Sequence, residues 1–196
     1  KFKSSKTKQG INYKFINEDL SGKLLVPADN EKNLSFKFDF IKINQSSVGS
    51  KESFLSLYNG IKAEFDFRVD AIFLNGKNYG NWEFSILPED NMLTLYDIKG
   101  AYGKWGLKNN NEGISSLQIF KNTIGWTSNL KTNLYSGSPE KAMMQIGIQP
   151  NFELDKLSLD ADLTWNNLPW LLDYNSIKGE ISTNLNGLLI KNSKDL

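Results

Sequence analysis

The chain has 196 residues, 39% of them hydrophobic and 12% aromatic, so it can build one large domain and is not intrinsically disordered. A net charge of +1 gives no electrostatic case for nucleic-acid binding. Histidine and cysteine are absent, which excludes Ser-His-Asp and Cys-His catalysis, disulfides and the common zinc sites.

Within the first 60 residues, the sequence is typical of strands between residues 11 and 43. Lysines 1, 3, 6 and 8 are interpreted as a solvated tail, with a phosphate or membrane-surface contact as the alternative. Short strands are expected at 11–16 and 22–26, and hydrophobic residues then alternate with polar ones over 34–40. The alternation shifts by one residue at Ile41 and Ile43, which indicates a β-bulge. Residues 45–59 are predicted to be a connection with a short helical turn at 53–58.

The clearest alternation in the chain runs over residues 61–74. A strand of that length would extend about 45 Å at roughly 3.3 Å per residue, whereas an ordinary strand has about five or six residues. Asn75-Gly76 is a strong hairpin signal and predicts a partner strand running to about Leu87. The next turn is expected at 88–91, followed by a strand that carries Leu93 and Leu95.

The second half of the chain continues in the same way. Glycines 100, 103 and 106 predict a sheet corner, and residues 114–136 a further pair of strands. A single helix is predicted at 139–147, because Ser138 is a good N-cap and Pro139 a good first residue. Two long strands follow, at 157–165 and 181–189. Short turns throughout indicate antiparallel pairing.

Carboxylate pairs are the only catalytic option that the composition leaves. Asp160 with Asp162, or Glu64 with Asp66, could resemble the pair of a glycosidase, but a solvent-facing strand surface explains them more simply. No loop has the acidic spacing of a calcium site. The chain is therefore expected to be non-catalytic and to need no cofactor or metal.

These elements predict a mainly β protein. We expect a long, twisted antiparallel sheet that curls into an open groove (a half-pipe) or a partly closed barrel, with one short helix. Its apolar face could pack on itself, as in a β-sandwich or filled barrel. Alternatively, it could line an open trough that solvates acyl chains, at roughly 25 cal/mol per Å² of apolar surface covered.

Several segments resemble the central and C-terminal β-rich region of YhdP-type AsmA-like proteins. They are GKLLVP at 22–27, LSFKFDFIKI at 34–43, IFLNGKNYGNWEFSI at 72–86, and 124–127 with the helix near Met143. The most specific segment is 157–190, in which an alternating strand is followed by Trp165, Pro169, Gly179 and Gly187. The order of the segments is kept over residues 20–190. The chain departs from the pattern at 166–168, where the family has glycine and small residues.

The resemblance implies that residues 1–196 form a single β-groove segment of a larger envelope-spanning protein. Such a protein would be anchored in the inner membrane of a diderm bacterium, lie in the periplasm and carry phospholipids to the outer membrane. Expected partners are phospholipid acyl chains, neighbouring groove segments of the parent chain, and inner- and outer-membrane proteins, but not nucleic acid. The predicted groove-lining residues are Phe36, Phe38, Phe40, Phe65, Phe67, Val69, Trp82, Phe84, Ile86, Leu93, Leu95, Leu157, Leu159, Leu163, Ile181 and Leu185.

Two rival functions fit the same composition. A non-catalytic β-domain could bind sugar on exposed aromatic residues such as Trp105, Trp126 and Trp170. It could also act as a self-association unit, because exposed strand edges pair readily with other strands.

Overall fold

The computed structural model describes residues 1–29, 32–43, 63–107, 115–123 and 125–190. This part of the chain is mainly β, as predicted, and has one short α-helix, α1 (Pro139–Gln145). A 3₁₀ turn covers Tyr174–Ser176. The strands are β1 (Phe2–Thr7), β2 (Gly10–Ile16), β3 (Leu20–Pro27), β4 (Leu34–Ile43), β5 (Phe65–Val69), β6 (Ile72–Leu74), β7 (Lys77–Asn78), β8 (Asn81–Glu89), β9 (Met92–Tyr102), β10 (Trp105–Leu107), β11 (Ser116–Asn122), β12 (Gly125–Ser136), β13 (Phe152–Glu153), β14 (Lys156–Asn166), β15 (Lys178–Asn186) and β16 (Leu189–Ile190).

Fourteen of these strands form one open sheet. Its order is β1-β2-β3-β4-β5-β8-β9-β10-β12-β14-β15, with β11 also lying between β9 and β12. β6 and β7 extend the sheet beside β4, and β13 pairs separately with β16. Because β1 and β15 stand at opposite edges and do not pair, the sheet is not closed into a barrel.

The sheet is mixed. The short turns predicted purely antiparallel pairing, and this prediction is wrong for β4. β4 pairs in parallel with both β5 and β6. A parallel pair requires a crossover connection of about a dozen residues or more, and residues 44–64 supply that length of chain. Every other described pairing in the sheet is antiparallel.

The prediction of one long strand over 61–74 is also wrong for residues 63–74, the part of this range that the structure describes. β5 is five residues long, and the chain leaves the strand conformation at Asp70 and Ala71 before β6 begins. The interruption lies beside a bulge in β4, where the register with β3 shifts between Ser21 and Gly22. That bulge agrees with the predicted shift in alternation. Residues 61 and 62, and the helical turn expected at 53–58, lie outside the described residues.

The predicted turns and helix agree closely with the structure. Asn75 and Gly76 have positive φ values of 49° and 78°, as a two-residue hairpin turn requires, and they join β6 to β7. β8 continues two residues past its predicted end at Leu87. Pro88 can belong to the strand because it pairs with Leu93 of β9 at a position where β5 no longer pairs with β8. The helix ends at Gln145, two residues early.

The densest core lies toward one end of the sheet. Ile86, Leu93, Ile119 and Trp126 come from four strands and pack with Leu168, which belongs to the loop after β14. This core closes one end of the apolar face of the sheet.

Candidate functional site

One face of the sheet, here called the inner face, carries continuous rows of apolar side chains. Directly paired residues in neighbouring strands share a face, so the strand registers define each row. The longest row of apolar side chains without a glycine crosses seven strands and consists of Leu34, Phe65, Ile86, Leu95, Leu117, Leu130 and Leu163. The opposite, outer face carries the alternating polar residues.

The first half of the inner face is aromatic. Phe67 and Phe84 stack with ring centroids 4.8 Å apart and an interplanar angle of 16°. Phe67 also contacts Phe38 at 5.4 Å, and Phe38 contacts Phe15 at 6.5 Å across Gly22. Aromatic rings at these distances attract each other beyond their area burial. The contacts therefore link β2, β4, β5 and β8 into one aromatic surface.

Much of this face stays accessible to solvent. Of the sixteen predicted lining residues, the five that are buried are Phe38, Val69, Ile86, Leu93 and Leu157. Those that are partly buried are Phe36, Phe40, Phe65, Phe67, Trp82, Phe84, Leu95, Leu159 and Leu163. Ile181 and Leu185 are 57% and 47% exposed, because β15 is an edge strand.

Phe40 is not on the inner face, which corrects its prediction as a lining residue. It lies past the β4 bulge and pairs with Ser21, whose neighbour Gly22 belongs to the inner face. The Lys42 ammonium lies 5.2 Å from the Phe40 ring centroid, as expected for two residues on the same outer surface. The alternation in the sequence could not assign Phe40 to a face, because the regular alternation of β4 ends at the bulge.

Other inner-face residues were missing from the sequence prediction. Ile98 is buried and lies on the inner face. It does so because the register between β8 and β9 shifts next to it, where Asp97 has a φ of 54°. A bulge of this kind gives no signal in simple alternation. Leu117 and Leu130 did alternate within the predicted strands at 114–136, so the same pattern could have identified them.

The loop after β14 closes one end of the inner face. Leu168 is fully buried, and its carbonyl accepts a hydrogen bond from the Trp165 indole Nε1 at 3.4 Å. Ser128 Oγ donates to the Asn167 carbonyl at 2.8 Å. Asn167 has a φ of 102°, in the region that favours glycine, at the place where the resembled family has glycine and small residues.

Helix α1 covers the opposite end. It follows β12 directly, while the loop around Leu168 lies beside the start of that strand. Ala142 is fully buried, and its carbonyl accepts a hydrogen bond from the Trp105 indole Nε1 at 2.9 Å. The inner face is therefore closed at both ends of β12 and remains partly accessible between them.

The candidate catalytic carboxylates are used in structural contacts on the outer face. Asp162 pairs with Lys131 at 3.1 Å, and this contact together with Asn129 lowers the pKa of the Asp162 carboxyl. Asp160 accepts a hydrogen bond from Asn133 at 2.6 Å. A carboxyl with a lowered pKa is a poor general acid at neutral pH.

The other candidate pair is engaged in the same way. Glu64 accepts a hydrogen bond from the Tyr96 hydroxyl, and Asp66 accepts one from Ser85 at 2.6 Å. Within the described ranges, no three acidic residues lie close enough to hold a metal ion. No helix in the same part of the chain is long and apolar enough to cross a membrane.

Comparison with known proteins leaves the family of the chain open. The chain matches no protein-family model, no curated protein and no solved structure. The resemblance to YhdP-type AsmA-like proteins therefore remains a prediction from the segments quoted above.

Proposed function

We propose that this chain is a segment of a hydrophobic conduit that solvates the acyl chains of phospholipids on the inner face of its sheet. The observation that carries the proposal is the continuous apolar row across seven strands, most of whose members are only partly buried. An apolar surface of this extent is usually an interaction site in a soluble protein.

The size of the face suits a lipid tail. Six strand-to-strand steps of about 4.8 Å give the longest row a length of about 29 Å. The hydrocarbon core of a bilayer is about 30 Å thick, so the tails of one leaflet span about 15 Å. Covering such a tail contributes about 0.8 kcal/mol for each methylene removed from water. This gain requires no catalytic residue.

The biological setting belongs to the same proposal. By its resemblance to YhdP-type AsmA-like proteins, the chain would belong to a protein anchored in the inner membrane and reaching through the periplasm of a diderm bacterium. Its role would be phospholipid transport toward the outer membrane. Neighbouring groove segments would pair with the edge strands β1 and β15, whose residues are all exposed.

The sugar-binding alternative has weaker support. Trp126 is 9% exposed and belongs to the core, and the Trp105 indole is bonded to the helix backbone. Trp170 is 44% exposed. The three rings therefore do not form one exposed aromatic platform. The exposed edge strand β15 supports the self-association alternative. Size-exclusion chromatography of the chain would detect self-association.

Lipid extraction followed by mass spectrometry tests the proposal. The purified chain should carry phospholipid, and the variant Phe67→Asp should lose it because a carboxylate on the inner face is costly to cover with an acyl chain. Phe40→Asp is the matched control on the outer face and should retain lipid. Circular dichroism would show whether Phe67→Asp still folds, and the milder Phe67→Ser serves if it does not. A folded wild-type chain free of lipid after expression in a diderm host would contradict the proposal.

A further inference from the structure

A row of basic side chains crosses the outer face of the first five strands. Register places its members directly opposite one another, from β1 through β2, β3 and β4 to β5. The row, here called the basic row, consists of Lys3, Lys14, Lys23, Lys37 and Arg68. The five residues come from five different strands, so the pairing of the strands brings them together.

Within the described part of the chain, the four lysines of the basic row have no carboxylate partner. Arg68 contacts Asp70 at 3.3 Å and Glu83 at 3.9 Å, but among the described residues none of these four lysines forms an ion pair. Elsewhere on the outer face, Lys99 pairs with Asp97 and Lys131 with Asp162. Like charges placed directly opposite each other destabilise a sheet. A row of four such lysines is therefore a cost to the fold that binding of an anion would offset.

The shape of the basic row suits a linear ligand. Neighbouring strands are about 4.8 Å apart, so the residues of the row follow one another at short, regular intervals across the sheet. At β4 and β5 it is one residue wide, since Asp39 follows Lys37 by two positions and Asp66 precedes Arg68 by two. A flat anionic membrane would lie against these carboxylates as well as against the lysines. A chain-like anion can follow the lysines alone.

Neighbouring side chains indicate what kind of chain fits. Ser5, which is exposed, pairs with the half-buried Asn12 beside Lys3 and Lys14, and Ser35 lies beside Lys37. Hydroxyl and amide groups next to cations can bond a ligand that carries both hydroxyls and negative charges. Single-stranded nucleic acids are bound with aromatic stacking platforms, whereas the aromatic rings of these strands lie on the inner face, with the single exception of Phe40.

We propose that the basic row binds a linear anionic polysaccharide, in which carboxylate, sulfate or phosphate groups repeat along a hydroxyl-rich backbone. Basic clusters are known recognition elements for such polymers. This surface lies on the opposite side of the sheet from the proposed lipid face. The two proposals therefore stand or fall separately.

Binding of size-defined heparin oligosaccharides to the full chain tests this proposal, because heparin is a linear sulfated glycan. If four ligand anions are neutralised, the affinity should fall about 50-fold between 50 and 200 mM salt, taking the salt slope of single-stranded nucleic acids as the guide for heparin. The triple variant Lys14→Gln, Lys23→Gln, Lys37→Gln should lose at least about tenfold in affinity. Its melting temperature should be unchanged or higher, because the lysines repel one another.

A second triple variant controls for net charge. Lys141→Gln, Lys156→Gln and Lys178→Gln remove the same charge from exposed positions outside the basic row and should leave heparin affinity nearly unchanged. Poly-L-glutamate, single-stranded DNA and phosphatidylglycerol vesicles are the competing probes. Tighter binding to any of them, equal losses in both triple variants, or no heparin binding at 50 mM salt would overturn the proposal.

Discussion

Phe67 and Phe84 lie on neighbouring strands with their rings stacked 4.8 Å apart, and both remain partly exposed. The pair is thus a structural contact of the sheet and part of the surface that we propose to hold acyl chains. This double role means that stability and lipid binding must be measured separately at each inner-face position.

The stacking energy of this pair can be isolated with a double-mutant cycle. Phe67→Leu and Phe84→Leu each keep an apolar side chain but remove one ring. We expect a coupling free energy of about 0.5–1.5 kcal/mol, the usual value for an aromatic pair. Denaturant unfolding of the two single variants and the double variant measures it. Strictly additive effects would show that the rings do not interact as the structure places them.

Leu168 is predicted to hold the loop that closes one end of the inner face. Leu168→Ala should lower the free energy of unfolding by about 3 kcal/mol, because the side chain is fully buried in the main core cluster. Leu172, which is 40% exposed in the same loop, provides the control, and Leu172→Ala should cost far less. Similar losses in the two variants would contradict the assigned packing.

Gly22 is predicted to be required for the close approach of β3 and β4. A Cβ at this position would lie 2.6 Å from the Lys37 carbonyl oxygen and 2.6 Å from a ring carbon of Phe38. Gly22→Ala should therefore destabilise the fold by about 1–3 kcal/mol, as overpacking usually does. Gly137→Ala, where a Cβ would meet nothing within 4 Å, is the control. Thermal unfolding compares them, and an unchanged melting temperature in Gly22→Ala would refute this packing.

The sequence was sufficient to predict the class of fold, because alternation survives in most strands. Phe36 and Phe38 on β4, and Trp82 and Phe84 on β8, were assigned to one face, and register confirms that they share it. The assignment failed at Phe40, where an inserted residue in β4 reverses the faces. A bulge depends on the partner strand, which the local sequence does not specify.

The basic row could not be predicted from the sequence for a similar reason. A net charge of +1 gave no electrostatic case for nucleic-acid binding, and Lys3 was interpreted as part of a solvated tail, with a phosphate or membrane-surface contact as the alternative. In the structure Lys3 belongs to β1 and lies opposite Lys14. Residues from distant parts of the chain became neighbours through pairing, and no property of a single segment could have revealed that.

The ion pair between Lys131 and Asp162 should be visible in acid titration. Hydrogen bonds from Lys131 and Asn129 lower the Asp162 pKa in the folded chain, so the contact stabilises the fold above the unfolded pKa of about 3.9. This contribution is lost as pH falls through the lower, folded pKa. Lys131→Gln should raise the Asp162 pKa, as measured by NMR titration of the carboxyl carbon. A lower or unchanged pKa in the variant would rule out the assigned cause.

Photo-crosslinking tests the central claim, that the inner face holds acyl chains, most directly. Benzoylphenylalanine would replace Phe84 on the inner face or Phe40 on the outer face, in the chain expressed in the periplasm of a diderm bacterium. We predict a phospholipid adduct by mass spectrometry at position 84 and none at position 40. Equal labelling at the two positions, or no adduct at position 84 in the folded protein, would contradict the account.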